Sequence, residues 1–557
     1  MRARVILFPL VIGLTLGLLT PADCPTGPRA ASHTRGLSIV PVNPETAETL
    51  RAQGRQFKYP FPNSANEGRK FNPWGDKIGP LATPQEQRVL VIFVQFDTVP
   101  PGGPGARLDL ATYFDTMLFG TVYDPPEYAA SYDGSYPTDR TLKNYFSEVS
   151  YGQVDIVTLN MPGELGWADV GHPYSYYCEA DGLHDNGFGP YPRNAQGMVI
   201  DAVKAVDEVV DFSQYAVDGE VPNLFVVHAG TGAEWNVDPS IIWSHSWNVA
   251  YGTGYPNGYP TNDGVRILNY ATMPEVGGDL TGYLGEPTGP YPPTVGVYAH
   301  EYGHVLGLPD QYDYGYESEG TGIYSLMAGG SWNRYPRVPI FDGNSPAHLD
   351  AWSKFRLGFV TPVDVTSDTA VNLGPVETDA TIYKMVVPNS GGKEYFLLEN
   401  RQQIGFDQGL ARYGPPGAVG PRGLAIYHVD DTVLWRNYGR PNEAENWKEF
   451  RSEGWRKAWT GETHYGISII QADDWWDLEH GMFCCYWGDL YPGYFNVMSF
   501  GSTTRPNSSN YYFWAGSEPK FGYSGVSATN IRETSISGDA FLVSADLSFV
   551  PWTPSKK

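Results

Sequence analysis

The stretch from Tyr298 to Asp310 constrains this chain more than any other. It places His300, Glu301 and His304 within one helical turn, followed by Gly307, Pro309 and Asp310. Residues four apart share a helix face, so His300 and His304 can present their imidazoles to one point. That is the spacing a zinc ion needs from two nitrogen ligands on one helix, with Glu301 beside them as a base rather than a ligand. Gly307 suits the left-handed residue that ends a helix, and Pro309 keeps the helix from resuming. The turn then brings Asp310 back as a third ligand. A fourth position left to water is the mark of a catalytic zinc site. Gly303, in mid-helix, costs about 1 kcal/mol relative to Ala and asks for a reason beyond helix formation.

A chain of 557 residues predicts two or three domains. With 64 Gly and 46 Pro, turns are frequent and a large β or loop fraction is expected. The formal net charge of −25 excludes nucleic acid as a partner, because phosphates would be repelled. Spare carboxylates leave room for structural Ca²⁺. Asp211, Asp218 and Glu220 are weighed for that role, although the run lacks an EF-hand pattern, as are the paired acids Asp430–Asp431 and Asp473–Asp474, for which turn capping is the stronger expectation.

Residues 1–22 have the form of a secretory signal: Arg2 and Arg4, an apolar run from Val5 to Leu19, and small residues before a cut after Ala22. No other segment is suited to span a membrane. The expected product is a secreted, extracellular monomer. Cys24, Cys178, Cys484 and Cys485 are too few for a disulfide scaffold, although export permits a bridge from Cys178 to Cys484 or Cys485. Residues 23–86 lack periodicity and read as a prosegment or linker. Asp76 there is a candidate for blocking the metal site, though a simple turn is the stronger reading.

Order is expected from Arg88 to Phe96, an apolar run suited to a buried strand. Helical spacing follows over Leu108–Phe119, over Asp139–Val149 with Asp139 as cap, and over residues 195–210. Val154–Leu159 and Leu224–His228 read as strands. Their alternation predicts an α/β catalytic domain over 87–362. His228, Glu234 and His245 could line the cleft, but their separation has no metal-site spacing, and hydrogen-bonded structural roles are favoured. Met327, in the small-residue turn from Tyr324 to Trp332, has the place of a Met-turn, a hydrophobic floor beneath the zinc site. From about 363 onward the pattern is strand-like, at Ile382–Val387, Tyr395–Leu398, Leu424–Val429, Ile467–Gln471 and Phe541–Leu547. The fold class is therefore α+β, a metzincin-like α/β catalytic domain with a β-rich, sandwich-like region over 363–557.

His300–Asp313 together with Ser325–Trp332 resembles the immune inhibitor A-like family of secreted bacterial metallopeptidases. Val226–Gly230, Ile242–Trp247, Ser345–Lys354, Tyr395–Arg401 and Gly423–Asp430 extend the likeness over roughly residues 88–435. The resemblance implies a zinc endopeptidase acting on proteins or peptides, made with a propeptide and often carrying structural calcium. It also implies Asp310 as third ligand, where most metzincins place histidine. Asp313 is the fallback, and Glu317 and Glu319 rank last because their surroundings are not helical. The rival from another class is a β-rich adhesin or carbohydrate binder whose peptidase-like domain is inactive. Retention of Glu301 argues against it.

Overall fold

In a computed structural model of the chain, the described residues are 38–53, 85–98, 108–123, 137–178, 186–235, 237–277, 293–335, 342–388, 390–415, 420–437, 439–443, 465–481, 485–511, 524–537 and 540–549. The signal-like segment, Cys24, Asp76 and Cys484 lie outside them. Among the described residues no helix is long and apolar enough to cross a membrane.

The run at residue 90 forms a strand because its side chains alternate into two cores. In β2 (Leu90–Gln95), Val91 and Phe93 enter one core while Leu90, Ile92 and Val94 enter the other. A strand buried on both faces needs an unbroken apolar run rather than a half-polar one. It belongs to a six-stranded sheet in the order β1-β5-β6-β4-β2-β3, with β1 Ser38–Ile39, β3 Trp167–Asp169, β4 Leu224–Thr231, β5 His245–Asn248 and β6 Asn269–Val276. The strands from β6 to β3 run parallel; β5 is antiparallel to β6, and β1 is antiparallel to β5.

Helices cover both faces. α1 (Pro44–Ala52) follows β1 directly, and its Ala47 joins the core on the metal-motif side. α2 (Leu142–Val149) buries Leu142, Tyr145, Phe146 and Val149 on one stripe, as its spacing predicts. Its cap is Thr141, which accepts from the Asn144 amide at 3.1 Å, and not Asp139, which lies two residues too early. α3 (Ala195–Val206) covers the opposite face and stops four residues short of the expected end, although Val210 is still buried. α4 (Val295–Val305) carries the His-Glu-His motif. Its Tyr298 and Tyr302 pack edge-on to Phe225 of β4, and the Tyr298 hydroxyl donates to the Pro274 carbonyl of β6 at 2.9 Å.

Among the described residues beyond 362, most of the regular structure is β. One sheet, β7-β9-β10-β11-β12, is built from Val363–Asp364, Tyr383–Val386, Glu394–Arg401, Gly423–Asp430 and Ile467–Ile469. Three further strands, β8 (Thr369–Leu373), β13 (Val526–Ser537) and β14 (Ala540–Phe549), pair in the order β8-β14-β13. Val371, Val543 and Leu547 from the second sheet share a core with Met385, Phe396 and Ile426 from the first. The chain is thus of mixed α and β class, with several sheets and helices.

A buried charge network ties this β region to the metal-motif half. Arg401 on β10 grips Asp407 through two bonds of 2.7 and 2.8 Å, meets Glu399 at 3.1 Å, and donates to the Tyr324 carbonyl at 2.8 Å. Lys354, on the helix Ala351–Leu357, balances Glu399 at 3.4 Å. All four charged side chains are fully buried, so the set is tolerable only while its charges cancel. Burial alone would raise the pKa of Asp407, but the Arg401 guanidinium outweighs it and holds the carboxyl well below the carboxylate range. Arg401→Met should therefore cost about 3–5 kcal/mol of stability, because it strands the Asp407 carboxylate in the interior and leaves Glu399 to Lys354 alone. Urea unfolding measures this, and a loss under about 1 kcal/mol would contradict the network's role.

Candidate metal centre

His300 and His304 lie on one face of α4, their ring centroids 4.7 Å apart. Each ring is fixed from behind by a backbone carbonyl. His300 Nδ1 lies 2.8 Å from the Leu326 oxygen, and His304 Nδ1 lies 2.9 Å from the Leu308 oxygen. A carbonyl can only accept, so each Nδ1 carries the proton and each Nε2 presents a lone pair. The two Nε2 atoms are 3.1 Å apart, and Asp310 Oδ1 is 3.2 Å from both.

Helix termination delivers Asp310. After Val305 the chain turns at Gly307, whose φ is +98°, and the Leu308 amide closes back onto the Gly303 carbonyl at 3.0 Å. The other Asp310 oxygen accepts a short hydrogen bond from the Tyr314 hydroxyl, which leaves Oδ1 with no hydrogen-bond donor. Tyr314 is in turn seated under the Arg440 guanidinium, 4.3 Å from its ring centre. Sequence reading missed Tyr314. Its signal was weak: one tyrosine, four residues beyond the ligand, in a loop full of tyrosines.

Met327 packs against the helix that carries both histidines. A Cβ added at Gly303 would stand 2.5 Å from the Met327 sulfur, so a side chain there would displace the thioether. The mid-helix glycine therefore has a packing reason. The Met327 turn is itself held: Ser325 donates to Asp350 at 2.8 Å, and the Met327 amide donates to Ser325 at 3.2 Å.

Three lone-pair donors at 3.1–3.2 Å, in a site where His300 and Asp310 are fully buried, would repel one another without a shared cation. Ligands at about 2.0–2.1 Å in a tetrahedron stand about 3.3 Å apart, which matches this spacing, and two imidazoles with a carboxylate suit zinc. Among the described residues this is the one group that gathers three such ligand atoms within 4.8 Å. The donor set fits a metal ion. Burial raises the Asp310 pKa, but the neighbouring imidazoles outweigh it and bring it to about 2. Burial, with help from His304, pulls His300 below its ordinary value.

Glu301 is fully buried and neither of its oxygens has a hydrogen-bond partner. Burial first, then the charges of Asp310 and Glu234, push its pKa well above the carboxylate range, while the nearby Val40 amide opposes them.

The remaining sequence candidates sit elsewhere. Asp313 accepts from the amides of Gly315, Glu317 and Ser318 at 2.9–3.1 Å and so shapes the loop. Glu317 and Glu319 are not among the gathered ligands. His245 bonds the Trp243 carbonyl at 2.7 Å and the Tyr270 hydroxyl at 2.9 Å, and His228 bonds the Ala229 carbonyl at 3.2 Å. Burial lowers both to about 4. Glu234 accepts from the hydroxyl and amide of Ser244 at 2.7 and 3.2 Å. Asp211, Asp430 and Asp473 cap turns, accepting from Ser213, Thr432 and Trp475. Cys178 donates to the Pro239 carbonyl at 3.6 Å.

Against known families, residues 82–358 match the immune inhibitor A peptidase M6 catalytic domain. Immune inhibitor A of Bacillus thuringiensis subsp. alesti is 34% identical over 248 residues, 40% of this chain and 32% of that protein. The pre-pro-metalloprotease PrtV of Vibrio cholerae serotype O1 is 31% identical over 145 residues, 25% of this chain and 14% of its own length. The chain thus spans about a third of the first relative and less of the second.

Two outcomes follow. Tyr314→Phe should weaken zinc binding by ~10–100-fold, as loss of a ligand's outer partner does; competition with a chromogenic chelator reads it, and unchanged affinity would contradict the role. Burial raises Glu234 from 4.5 to about 7. Its folded pKa exceeds its unfolded one, so its contribution is full below about pH 4.5 and is lost as pH rises toward 7. Glu234→Gln should flatten that slope by about 3 kcal/mol, seen as pH-dependent urea midpoints; an unchanged slope would place the titration elsewhere.

Proposed function

From a chain whose residues 82–358 carry the catalytic domain of the immune inhibitor A peptidase M6 family, we propose a secreted zinc-dependent endopeptidase that hydrolyses peptide bonds in proteins. The observation that carries this reading is the convergence of His300, His304 and Asp310 beside an unpartnered, buried Glu301. The two histidines and Asp310 would hold the ion. Bound zinc supplies Lewis acidity, which acidifies water toward neutral pH and polarises a carbonyl.

The chain's own residues supply the rest. Glu301 takes the proton of the attacking water and passes it to the leaving amine. Burial raises its pKa from the ordinary carboxylate value, which strengthens it as a base. No side chain donates to its oxygens, which leaves the carboxyl available for that transfer. The Leu326 and Leu308 carbonyls hold the imidazoles in the tautomer that leaves Nε2 bare, and Tyr314 keeps Asp310 turned toward them. Secretion is part of the proposal and rests on the signal-like residues 1–22.

Glu301→Gln should retain zinc while casein turnover falls by ~10²–10⁴-fold, the share a positioned base supplies. Metal content and turnover measured on the same preparation check it; loss of zinc from this variant would show that the roles are misassigned. Proteolysis that persists after thorough chelation would contradict the metal's part outright.

A further inference from the structure

The third ligand's loop is gripped by a segment that lies far beyond it in the chain. Residues 440–443 follow β11 and the short helix Asp431–Arg436, and all four are buried. They sit against the start of β12. The Gly466 amide donates to the Pro441 carbonyl at 2.7 Å, and the Ile467 amide donates to Asn442 Oδ1 at 3.1 Å. Asn442 Nδ2 in turn donates to the Ile467 carbonyl at 2.8 Å and to the Gln311 carbonyl at 2.9 Å. A main-chain N–H can only donate and a carbonyl only accept, so these three partners fix which way the Asn442 amide points.

Gln311 is the residue after the ligand Asp310. Its amide donates to the Met327 carbonyl at 2.8 Å, and its carbonyl also accepts from the Thr321 amide at 3.0 Å. The main chain one step past the ligand is therefore pinned between the Met327 turn and β12. Two further contacts reach Tyr314, whose hydroxyl holds Asp310 Oδ2. Glu443 accepts from the Tyr314 amide at 3.2 Å. The Arg440 guanidinium lies over the Tyr314 ring and 3.7 Å from Glu443, and a cation in that place holds the ring by its negative face. Burial first, then the Asp310 charge, raises the Tyr314 pKa well above its ordinary value, and Arg440 opposes them; the hydroxyl keeps its proton and is the donor. A carboxylate end can rotate, so Oδ1 stays turned to the imidazoles only while Oδ2 is claimed.

We propose that Arg440, Asn442 and Glu443 are positioning residues of the metal centre: they hold Gln311 and Tyr314 so that Asp310 Oδ1 stays aimed at the point it shares with His300 and His304. The inference rests on the peptidase reading and its zinc ion. It adds that the centre is completed from the β-rich region, outside the residues 82–358 that match the catalytic domain.

The test uses the full chain and reads zinc affinity by competition with a chromogenic chelator. Arg440→Met should weaken zinc ~10-fold, as loss of a ligand's outer support does. Arg440→Lys, which keeps a cation over the ring, should recover most of that loss. In a chain already carrying Tyr314→Phe, Arg440→Met should change affinity less than about twofold, because its path runs through the missing hydroxyl. Equal losses in the two backgrounds, or none in either, would overturn the proposal. The visible absorption of the Co²⁺-loaded chain reports ligand geometry and should shift in Arg440→Met as in Tyr314→Phe; an unshifted spectrum would overturn it as well. Asn400→Ala separates support of the ligand from support of the fold. It removes donors to the Leu373 and Phe541 carbonyls within the β region, so the urea midpoint should fall while zinc affinity stays within about twofold. A zinc loss there equal to that of Arg440→Met would overturn the proposal. Should Arg440→Met not fold, Glu443→Ala removes the acceptor of the Tyr314 amide and should weaken zinc ~10-fold; unchanged affinity would overturn the proposal. A zinc-loaded chain that cuts no casein would contradict the peptidase reading while these affinities still decide the proposal, so the two failures are distinct.

Discussion

Two imidazole nitrogens and a carboxylate oxygen face one another at little more than 3 Å in a dry interior, and the surrounding structure is arranged to keep them there. Lone pairs so placed repel unless a cation or a proton lies between them. Each ring gives its Nδ1–H to a carbonyl, and at His300 burial works against a second proton on the ring. One of those carbonyls belongs to Leu326, in the turn that also supplies Met327. The turn that packs Met327 against the motif helix therefore also fixes a ligand's tautomer.

The β-rich region takes part in this. Arg401 donates to the Tyr324 carbonyl, and the Tyr324 hydroxyl lies within hydrogen-bond reach of Asp489 at 3.0 Å and of the Tyr486 carbonyl at 2.9 Å. The segment leading into the Met327 turn is thereby held from the second half of the chain by buried polar bonds, whose removal is costly. This is a physical reason for the β region to accompany the metal-motif half: it braces the turn whose Leu326 carbonyl holds His300.

How much of this could be read from the residues depends on how local each signal is. The His-Glu-His face follows from helical periodicity alone, and Gly307 with Pro309 marks where the helix must stop, so the path to Asp310 is short. Met327 stands out because small residues surround it. Tyr314 is not legible, since its role depends on a loop path that no periodicity encodes. Nor is the grip of Arg440–Glu443 on that loop, made between partners 129 and 131 residues apart. Strand β13 is hidden for another reason. Its pairing with β14 slips between Thr529 and Arg532, so the alternation of buried Val526, Ala528 and Ile531 breaks phase within the strand.

The central claim is that His300, His304 and Asp310 share one zinc ion. X-ray absorption at the zinc edge, on purified full-length chain with its zinc content determined, tests it most directly. The account predicts one zinc per chain, with a first shell of two imidazole nitrogens and light oxygen donors at about 2.0–2.1 Å and no sulfur. A shell containing sulfur at about 2.3 Å, or a zinc signal unchanged when both histidines are replaced by alanine, would contradict it.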